Sequence, residues 1–447
     1  MNIDFMRRNF AEYQDRDAIV WCDQTFTYSW LLNQINTWRT TINENNLPHG
    51  AVVILEADFS PNAVALFLAL VEHQCILVPL TSSVETKKAE FIEIAQGEYR
   101  FSIDETDQVE ISKLPYSAAN SYYQELRQRE HPGLLVFSSG STGKSKAAVH
   151  DMIHLLAKFE SRRRAQRAIS FLLYDHIGGI NTMLHMLSNG GCLITVPERT
   201  PDSVLRAVEK HHVAVLPVTP TFLNLILLSE AYKRYDLSSL EIVTYGTEPM
   251  PESTLKRFHE LFPNTVMLQM YGLSEIGIMR TKSKSSDSLW MKIGGEGFET
   301  RIVDGTLQIK AHSAMLGYLN APSPFTEDGW FNTDDLVEVD GEYMRVLGRK
   351  SELINVGGEK VYPAEVESVI QEMENVAEAT VYGEKNAITG NIVCARVRLV
   401  HDEGLREFTR RLRSYCRTRL QAHKIPIKVT LVDERQYSER FKKQRKA

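Results

Sequence analysis

The most informative part of this 447-residue chain is the stretch Leu134-Leu-Val-Phe-Ser-Ser-Gly-Ser-Thr-Gly-Lys-Ser-Lys146. Its first four residues are apolar and predict a short buried strand. The loop after them contains glycines, which free the backbone to wrap a ligand, together with hydroxyls and two lysines, which attract anions. This composition favours a polyphosphate ligand. The nucleotide P-loop pattern does not match, because Ser138 stands where its first glycine is required.

Composition and charge narrow the class of protein. With 43% hydrophobic and 24% charged residues over 447 positions, the chain is expected to form at least two globular domains. No apolar run is long enough to span a bilayer, and the five scattered cysteines contain no C-x-x-C pair, so we expect a cytoplasmic protein without a disulfide framework or zinc site. The net charge of −6 argues against nucleic-acid binding. From residue 349 onward, 20 Lys and Arg outnumber 14 Asp and Glu, and a basic C-terminal part is suited to closing over a triphosphate.

Short apolar segments alternate with helical ones along the first 270 residues, a pattern typical of open α/β sheets. Ligands of such sheets bind at the carboxyl ends of the strands. Four polar or glycine-rich segments follow predicted strands, and we therefore expect all four on one edge of one sheet. They are Ser138–Lys146, Asp175–Gly179, Tyr245–Glu248 and Tyr271–Glu275.

The opening stretch resembles the phosphate loop of adenylate-forming enzymes, the family of acyl-CoA synthetases, luciferases and peptide-synthetase adenylation domains. Four later segments resemble motifs of that family and occur in its order: Tyr245-Gly-Thr-Glu-Pro249, Met270-Tyr-Gly-Leu-Ser-Glu275, Gly329-Trp-Phe-Asn-Thr-Asp-Asp-Leu336 and Gly348–Glu367. The chain departs from the family pattern at five positions, Ser138, Ser145, Ala147, Asp334 and Phe441. In relatives these are Thr, Pro, Gly, Gly and Gly.

The resemblance implies an α/β fold in two domains. Residues 1–348 would form a large N-terminal ATP- and acyl-binding domain, built of two βα-alternating sheet subdomains and a small β subdomain. Residues 349–447 would form a small, mobile α+β C-terminal domain that swings about a hinge at 349–351.

The function implied is that of an ATP-dependent, AMP-forming acid–thiol ligase. Such an enzyme joins a carboxylic acid to AMP with release of pyrophosphate, aided by Mg²⁺, and then makes a thioester with CoA or with the pantetheine of an acyl carrier protein. An aryl or fatty acid is favoured as the substrate, since Ile177 stands where amino-acid-activating domains carry an Asp. Asp175, two residues away, leaves an amino-acid substrate open. The departures from the family pattern leave open a second alternative, a catalytically silent nucleotide-binding homologue.

The resemblance also implies roles for individual residues. Tyr271 would stack on the purine, Asp335 would accept the ribose hydroxyls, and Glu275 would hold Mg²⁺. The full set of nucleotide-binding candidates is Ser138, Ser139, Gly140, Ser141, Thr142, Gly143, Lys144, Lys146, Gly246, Thr247, Glu248, Tyr271, Gly272, Asp335 and Arg349.

The other candidates fall into three groups. The catalytic group comprises Lys442, Glu275, Ser274 and His176; the acyl pocket comprises His176, Ile177, Gly178, Tyr245, Leu273 and Gly277; and the thiol tunnel comprises Gly357 and Gly358. Glycines 178 and 179 are expected to leave room for the acyl group. Lys442, with Arg445 three residues on, has the spacing of the family's adenylation lysine, and Lys443 is its competitor.

Overall fold

The structure is a computed structural model that describes residues 2–139 and 145–444, with Ser139 described by its backbone alone. The helices in these ranges are α1 Asp4–Glu12, α2 Tyr28–Glu44, α3 Pro61–Glu72, α4 Lys88–Ala95, α5 Ser121–Arg129, α6 Met152–Leu156, α7 Ile177–Ser188, α8 Pro201–Lys210, α9 Pro220–Ser229, α10 Glu252–Leu261, α11 Pro363–Gln371 and α12 Leu405–Arg417.

The strands are β1 Asp17–Trp21, β2 Gln24–Thr27, β3 Val52–Glu56, β4 Ile76–Leu80, β5 Tyr99–Ile103, β6 Val109–Lys113, β7 Gly133–Ser139, β8 Ser145–Asp151, β9 Arg167–Ile169, β10 Cys192–Ile194, β11 Val215–Val218, β12 Ile242–Tyr245, β13 Val266–Gln269, β14 Gly272–Leu273, β15 Gly277–Ile278, β16 Arg280–Ser283, β17 Met291–Gly294, β18 Phe298–Val303, β19 Thr306–Ala311, β20 Gly317–Tyr318, β21 Phe331–Asp340, β22 Tyr343–Arg349, β23 Ile354–Val356, β24 Glu359–Val361, β25 Val376–Asn386, β26 Gly390–Leu399 and β27 Lys428–Leu431.

Two seven-stranded sheets form the body of the N-terminal domain. The first has the strand order β20-β8-β7-β4-β3-β5-β6, and the second has the order β13-β12-β11-β9-β10-β1-β2. The centre of each sheet is parallel, while β8 runs antiparallel to β7 and β2 antiparallel to β1. The predicted α/β class and the large N-terminal domain followed by a smaller C-terminal domain are confirmed.

Helix α3 shows how the two sheets share one core. It begins after Ser60, whose side chain accepts a hydrogen bond from the backbone N–H of Ala63, and Pro61 occupies its first turn. Ten of its twelve residues are buried, so the helix is apolar all round rather than amphipathic. Its side chains pack in one cluster with residues of β3 and β7 from the first sheet and of β1 and β10 from the second.

Two smaller sheets follow in the chain. A six-stranded antiparallel sheet, β16-β17-β22-β21-β19-β18, forms the small β subdomain. The C-terminal domain contains the order β24-β23-β26-β25, with β27 paired to β26, and it has its own cluster of buried side chains from 354 to 416. In the described part of the chain, every helix is too short or too polar to cross a bilayer.

The expectation of one shared sheet edge is wrong. Ser138 lies on β7 of the first sheet, whereas Tyr245 ends β12 of the second sheet. The polar segments meet because the two sheets pack on common helices and their strand ends face one cleft. The phosphate-loop stretch also joins two antiparallel strands, with Ser139 paired to Ser145, instead of leading into a helix.

Candidate active site

A cavity of about 1230 Å³ lies where the two sheets, the small β subdomain and the C-terminal segment meet. Residues from all four parts line it, including Ser138 of β7, His176 before α7, Asp335 of β21 and Lys442 near the C-terminus. The sequence-predicted residues that line it are Ser138, His176, Ile177, Gly178, Tyr245, Gly246, Thr247, Glu248, Tyr271, Gly272, Leu273, Ser274, Glu275, Asp335, Arg349, Lys442 and Lys443.

Several predicted residues lie elsewhere or outside the described ranges. Gly140, Ser141, Thr142, Gly143, Lys144 and Arg445 lie outside the described residues, and the side chain of Ser139 is not described. Lys146 does not line the cavity; its ammonium lies 5.2 Å from the ring centroid of Tyr318. Gly357 and Gly358 lie in the turn between β23 and β24, both with positive φ, and neither lines the cavity.

Two acyl-pocket expectations need correction. Gly277 does not line the cavity, because its φ of +78° turns the β14–β15 hairpin away and Ile278 lines it instead. Gly179 leaves no room for a ligand, since a Cβ there would lie 2.2 Å from the carbonyl oxygen of Leu173. That glycine permits close packing of α7 on the preceding segment, whereas Gly178 lines the cavity as expected.

Glu275 is held in place at one side of the cavity. Its Oε1 accepts hydrogen bonds from the hydroxyl of Tyr318 at 2.6 Å and from that of Ser138 at 3.4 Å. The described residues contain no group of three or more His, Cys, Asp or Glu that is suited to a metal ion. A single carboxylate such as Glu275 fits Mg²⁺, which is commonly held by one or two carboxylates together with substrate phosphates. Glu275 is therefore the candidate protein ligand for that ion.

Tyr271, Asp335 and Arg349 form a second group. The Tyr271 hydroxyl donates a 2.5 Å hydrogen bond to Asp335 Oδ2, and Arg349 Nε lies 3.7 Å from Asp335 Oδ1. Burial raises the pKa of Asp335, opposed by the tyrosine hydroxyl and the guanidinium. Burial and the neighbouring carboxylate both raise the pKa of Tyr271 well above its ordinary value. Within this group, the only partner of Asp335 Oδ1 is therefore the Arg349 guanidinium at 3.7 Å.

The turn after β12 brings backbone close to the cavity. A Cβ at position 246 would lie 2.6 Å from the carbonyl oxygen of Met270, so Gly246 is required there. Glu248 does not present a free carboxylate. Its Oε1 accepts from the backbone N–H and the hydroxyl of Thr221, and its Oε2 accepts from the backbone N–H of Lys443 at 3.0 Å. Glu248 therefore fastens the C-terminal segment to the N-terminal domain.

Lys442 and His176 face each other without an acceptor between them. The His176 Nδ1 accepts the backbone N–H of Gly178 at 3.0 Å, so the proton of the neutral ring is assigned to Nε2, which lies 3.4 Å from Lys442 Nζ. Burial, with Arg440 nearby, lowers the pKa of Lys442 to about 8. Burial and Lys442 lower the pKa of His176 well below its usual range. Two donors thus point at a space that an anion would satisfy.

Aromatic and ionic contacts dock the C-terminal segment, residues 436–444. The Phe441 ring lies 5.3 and 5.2 Å from the rings of Phe171 and Phe222, and Tyr437 stacks on its other side at 5.5 Å. Phe441 has φ +51°, a left-handed conformation that glycine adopts most easily. Arg440 pairs with buried Asp175 at 2.8 Å.

The two candidate lysines have different surroundings. Lys443 Nζ donates to the carbonyl oxygen of Ala379 at 3.2 Å and pairs with buried Glu367 at 3.3 Å, both in the C-terminal domain. Lys442 makes no ion pair within the described residues and faces His176 in the cavity. The geometry therefore favours Lys442 for contact with a ligand.

The sequence analysis missed a group of residues at the other side of the cavity: Lys158, Arg163, Asn181, His185 and Arg280. The helical periodicity of the sequence could have indicated two of them, because Asn181 and His185 follow Ile177 at a spacing of four residues on α7 and lie on the same face. Lys158 and the arginines come from segments without a motif, so only the folded chain brings them together.

Comparisons with known proteins identify the family of this chain. The family model described as AMP-binding enzyme matches residues 6–319, and that of the AMP-binding enzyme C-terminal domain matches residues 365–442. The indoleacetate–CoA ligase of Aromatoleum aromaticum is 28% identical over 330 residues, which cover 68% of this chain and 64% of that protein. The long-chain-fatty-acid–CoA ligase FadD13 of Mycobacterium tuberculosis is 28% identical over 324 residues, which cover 67% of this chain and 63% of that protein.

A solved structure has the same fold. The anthranilate CoA ligase AuaEII, in complex with anthranoyl-AMP, aligns with a TM-score of 0.82 and 18% identity, covering 97% of this chain and 93% of that one. At this identity the likeness concerns the fold, while the family model covers well over half of the chain. The match of the family model over residues 6–319 shows that the chain belongs to the AMP-binding enzymes.

Proposed function

We propose that this protein is an ATP-dependent carboxylic acid ligase, which forms an acyl-AMP and pyrophosphate and then transfers the acyl group to the thiol of CoA. The observation that carries the proposal is the meeting of Lys442, His176 and Glu275 around one cavity, although the three come from distant parts of the chain. Relatives named as ligases of CoA with indoleacetate and with long-chain fatty acids support an aryl or fatty acid as the substrate class.

The first step needs no proton transfer. A carboxylate oxygen of the acid attacks the α-phosphorus of ATP, and the bond from that phosphorus to the oxygen bridging to the β-phosphate breaks, so that pyrophosphate leaves. The protein's task is to position the two anions and to balance the charge that develops between them. Lys442 is suited to this task because its ammonium and the Nε2–H of His176 both lack an acceptor among the residues that the structure describes. Mg²⁺ bound at Glu275 would neutralise phosphate charge.

The remaining residues would bind the nucleotide. Asp335 would accept the ribose hydroxyls with its less occupied oxygen, and Arg349 would approach the ribose or phosphate from the other side. The backbone at Gly246 and Thr247 would contact the purine. Ser138, together with the loop residues that follow it, would bind the phosphates. In the second step, the C-terminal domain would turn about 349–351 and present Gly357 and Gly358 to the thiol.

The alternative of an amino-acid substrate loses support at Asp175. Its Oδ2 accepts from the Thr81 hydroxyl at 3.0 Å and pairs with Arg440 at 2.8 Å, so this carboxylate already has a cationic partner. Asp175 does not line the cavity either, and an α-ammonium group placed beside it would lie close to the Arg440 guanidinium, which is costly. A carrier-protein pantetheine as the acceptor remains a variant of the same proposal.

An acid-dependent exchange of labelled pyrophosphate into ATP tests the function. With benzoates, cinnamates, fatty acids and amino acids supplied one at a time, exchange is expected with at least one non-amino acid. The catalytically silent alternative predicts binding of ATP or AMP in calorimetry without exchange for any acid. Exchange with amino acids alone would contradict the proposed substrate class.

Phe441 gives a prediction about the docking of the C-terminal segment. Changing Phe441 to Gly relieves about 1 kcal/mol of left-handed strain but loses roughly 2–3 kcal/mol of ring burial against Phe171 and Phe222. The docked state is therefore expected to weaken by about tenfold. We expect a tenfold smaller rate of acyl-AMP formation in single-turnover experiments and faster tryptic cleavage after Arg440. Phe441→Leu, which retains apolar burial, is the control and should remain close to the unaltered protein; unchanged rates in the Gly variant would contradict the anchoring role.

A further inference from the structure

Helix α7 runs from Lys442 to the opposite end of the cavity. The wall at that end carries cationic side chains that have no ionic partner among the described residues. Lys158 lines it inside the cavity, the exposed Arg163 and Arg280 line it at the rim, and none of these three cations makes an ion pair within the described residues. His185 of α7 lies beside them with a neutral ring. The Lys158 ammonium donates only to neutral oxygens, Asn181 Oδ1 at 2.5 Å and the carbonyl oxygen of Ile278 at 2.9 Å. The nearby acid Glu241 is already bonded twice by Arg164, which lies on the exposed rim.

The burial of the Lys158 ammonium is unfavourable in the absence of a ligand. Burial, with Arg163 and Arg280 nearby, lowers the pKa of Lys158 from 10.5 to about 7. Burial and the same cations lower the pKa of His185 to about 4. Buried cations are normally paired with carboxylates or bind anions. The described residues supply no carboxylate to Lys158, and an anionic ligand would hold its ammonium protonated and neutralise its charge.

The length of helix α7 gives the distance between the two ends of the cavity. His176 caps its N-terminus next to Lys442, while Asn181 and His185 lie five and nine residues farther on. At 1.5 Å per residue, the two positions are about 7 and 13 Å along the helix from His176. The wall between them is apolar and includes Ile177, Val215 and Ile278. The cavity therefore offers a cationic site, an apolar middle and a second cationic site.

We propose that the acid activated by this site carries a second carboxylate at its far end, bound by Lys158 with Arg163 and Arg280 at the rim. This inference rests on the proposed ligase function and specifies its substrate class. An extended chain advances about 1.2 Å per bond, so the two carboxylates are separated by about six to eleven bonds. The substrate is thus an α,ω-dicarboxylic acid of medium length, or an aryl acid with a second, distal carboxylate. A fatty acid with a methyl end would leave the Lys158 ammonium buried and without a counter-ion.

Pyrophosphate exchange with matched pairs of acids tests this inference. The pairs are α,ω-dicarboxylic acids of six to twelve carbons against monocarboxylic acids of the same length, and 4-(carboxyalkyl)benzoates against 4-alkylbenzoates. A charged hydrogen bond contributes about 1.5–3 kcal/mol, so kcat/KM is expected to favour the diacid by about 10- to 100-fold. Lys158→Met is expected to remove this preference, lowering kcat/KM for the diacid and leaving that for the monoacid unchanged or raised.

The controls separate this inference from a structural role and from the function itself. Lys292→Met makes the same change at a surface lysine paired with Glu342, and it should alter neither acid. An equal loss for both acids in Lys158→Met would assign Lys158 a structural role and overturn the inference. Equal or better exchange with monoacids in the unaltered protein would also overturn it, while leaving the ligase function standing. Absence of exchange with every acid would instead contradict the proposed function.

Discussion

Replacing Lys442 by methionine is expected to lower the rate of acyl-AMP formation by about 10³-fold, the upper range for the loss of one charge-stabilising donor. Methionine retains most of the volume of the lysine side chain but removes the ammonium that would lie between carboxylate and α-phosphate. The measurement is single-turnover formation of acyl-AMP from ATP and acid. Thiolysis of supplied acyl-AMP by CoA should be largely spared, because in the proposed mechanism the C-terminal domain turns this lysine out of the site before the second step.

The same variant should be more stable near pH 7, which excludes unfolding as the cause of lost activity. The Lys442 pKa falls from 10.5 to about 8 in the folded protein. Below pH 8 both the folded and the unfolded state hold the proton, and the buried charge costs roughly 3 kcal/mol. Between pH 8 and 10.5 the folded state loses the proton first, so its stability rises with pH. The advantage of the methionine variant in thermal unfolding should therefore shrink across this interval.

Two further variants make the Lys442 test specific. Lys428→Met alters a lysine of β27 that is paired with Glu384 at 2.8 Å on the surface, and it should change neither half-reaction. Lys443→Met should mainly lower stability, since its ammonium bonds Ala379 and Glu367. Loss of adenylation in Lys443→Met but not in Lys442→Met would contradict the assignment. An equal loss of both half-reactions in Lys442→Met would contradict the proposed role.

Asp335→Asn is expected to raise the KM for ATP by about 100-fold while changing the KM for the acid little. The neutral amide would lose charge-assisted hydrogen bonds to the ribose hydroxyls and the contact with Arg349, about 3 kcal/mol in total. Initial rates of pyrophosphate exchange at varied ATP and fixed, saturating acid give this value.

The neighbouring residue provides a matched control for that change. Asp334 has φ +63°, which asparagine tolerates, and its carboxylate accepts the backbone N–H of Ser351 on the exposed side. Asp334→Asn therefore removes the same charge one residue away and should leave the KM for ATP within about twofold. If both variants raised this KM equally, the effect would come from net charge, and the assignment of Asp335 to the ribose would fail.

The fold class could be predicted because it depends on local patterns, and most of the described residues that the family resemblance singled out line the cavity. Alternation of strands and helices, with the motif residues after the strands, was enough to place His176, Tyr245 and Glu275 at strand or helix ends. The division into two sheets could not be predicted in this way, since nothing local distinguishes strands of one sheet from those of another. The motif segments consequently meet across a cleft instead of along one edge.

The roles of glycine residues were predicted less accurately than those of charged residues. Gly277 and Gly179 both looked like space for a ligand, but the first turns a hairpin and the second allows close packing against the carbonyl of Leu173. Two departures from the family pattern could be explained only from the backbone φ angles of the structure. Asp334 and Phe441, which replace glycines of relatives, both have positive φ, so the backbone conformation is kept while the side chain is new.

The long-range ion pairs were beyond prediction from the sequence. Asp175 and Arg440 are 265 residues apart, and their contact gives the Asp175 carboxylate a cationic partner within the chain. The cationic wall at Lys158 likewise unites residues of four different segments. Such contacts follow from the docking of whole elements, so they carry the chain-specific part of the function.

The fate of isotope from a carboxylic acid labelled with oxygen-18 tests the central claim most directly. If a carboxylate oxygen attacks the α-phosphorus, that oxygen bridges carbon and phosphorus in the acyl-AMP and stays on phosphorus when the thiol attacks the carbonyl carbon. The account predicts AMP that carries a single oxygen-18 atom in its phosphate group. Unlabelled AMP, or label recovered in inorganic phosphate together with ADP, would contradict it.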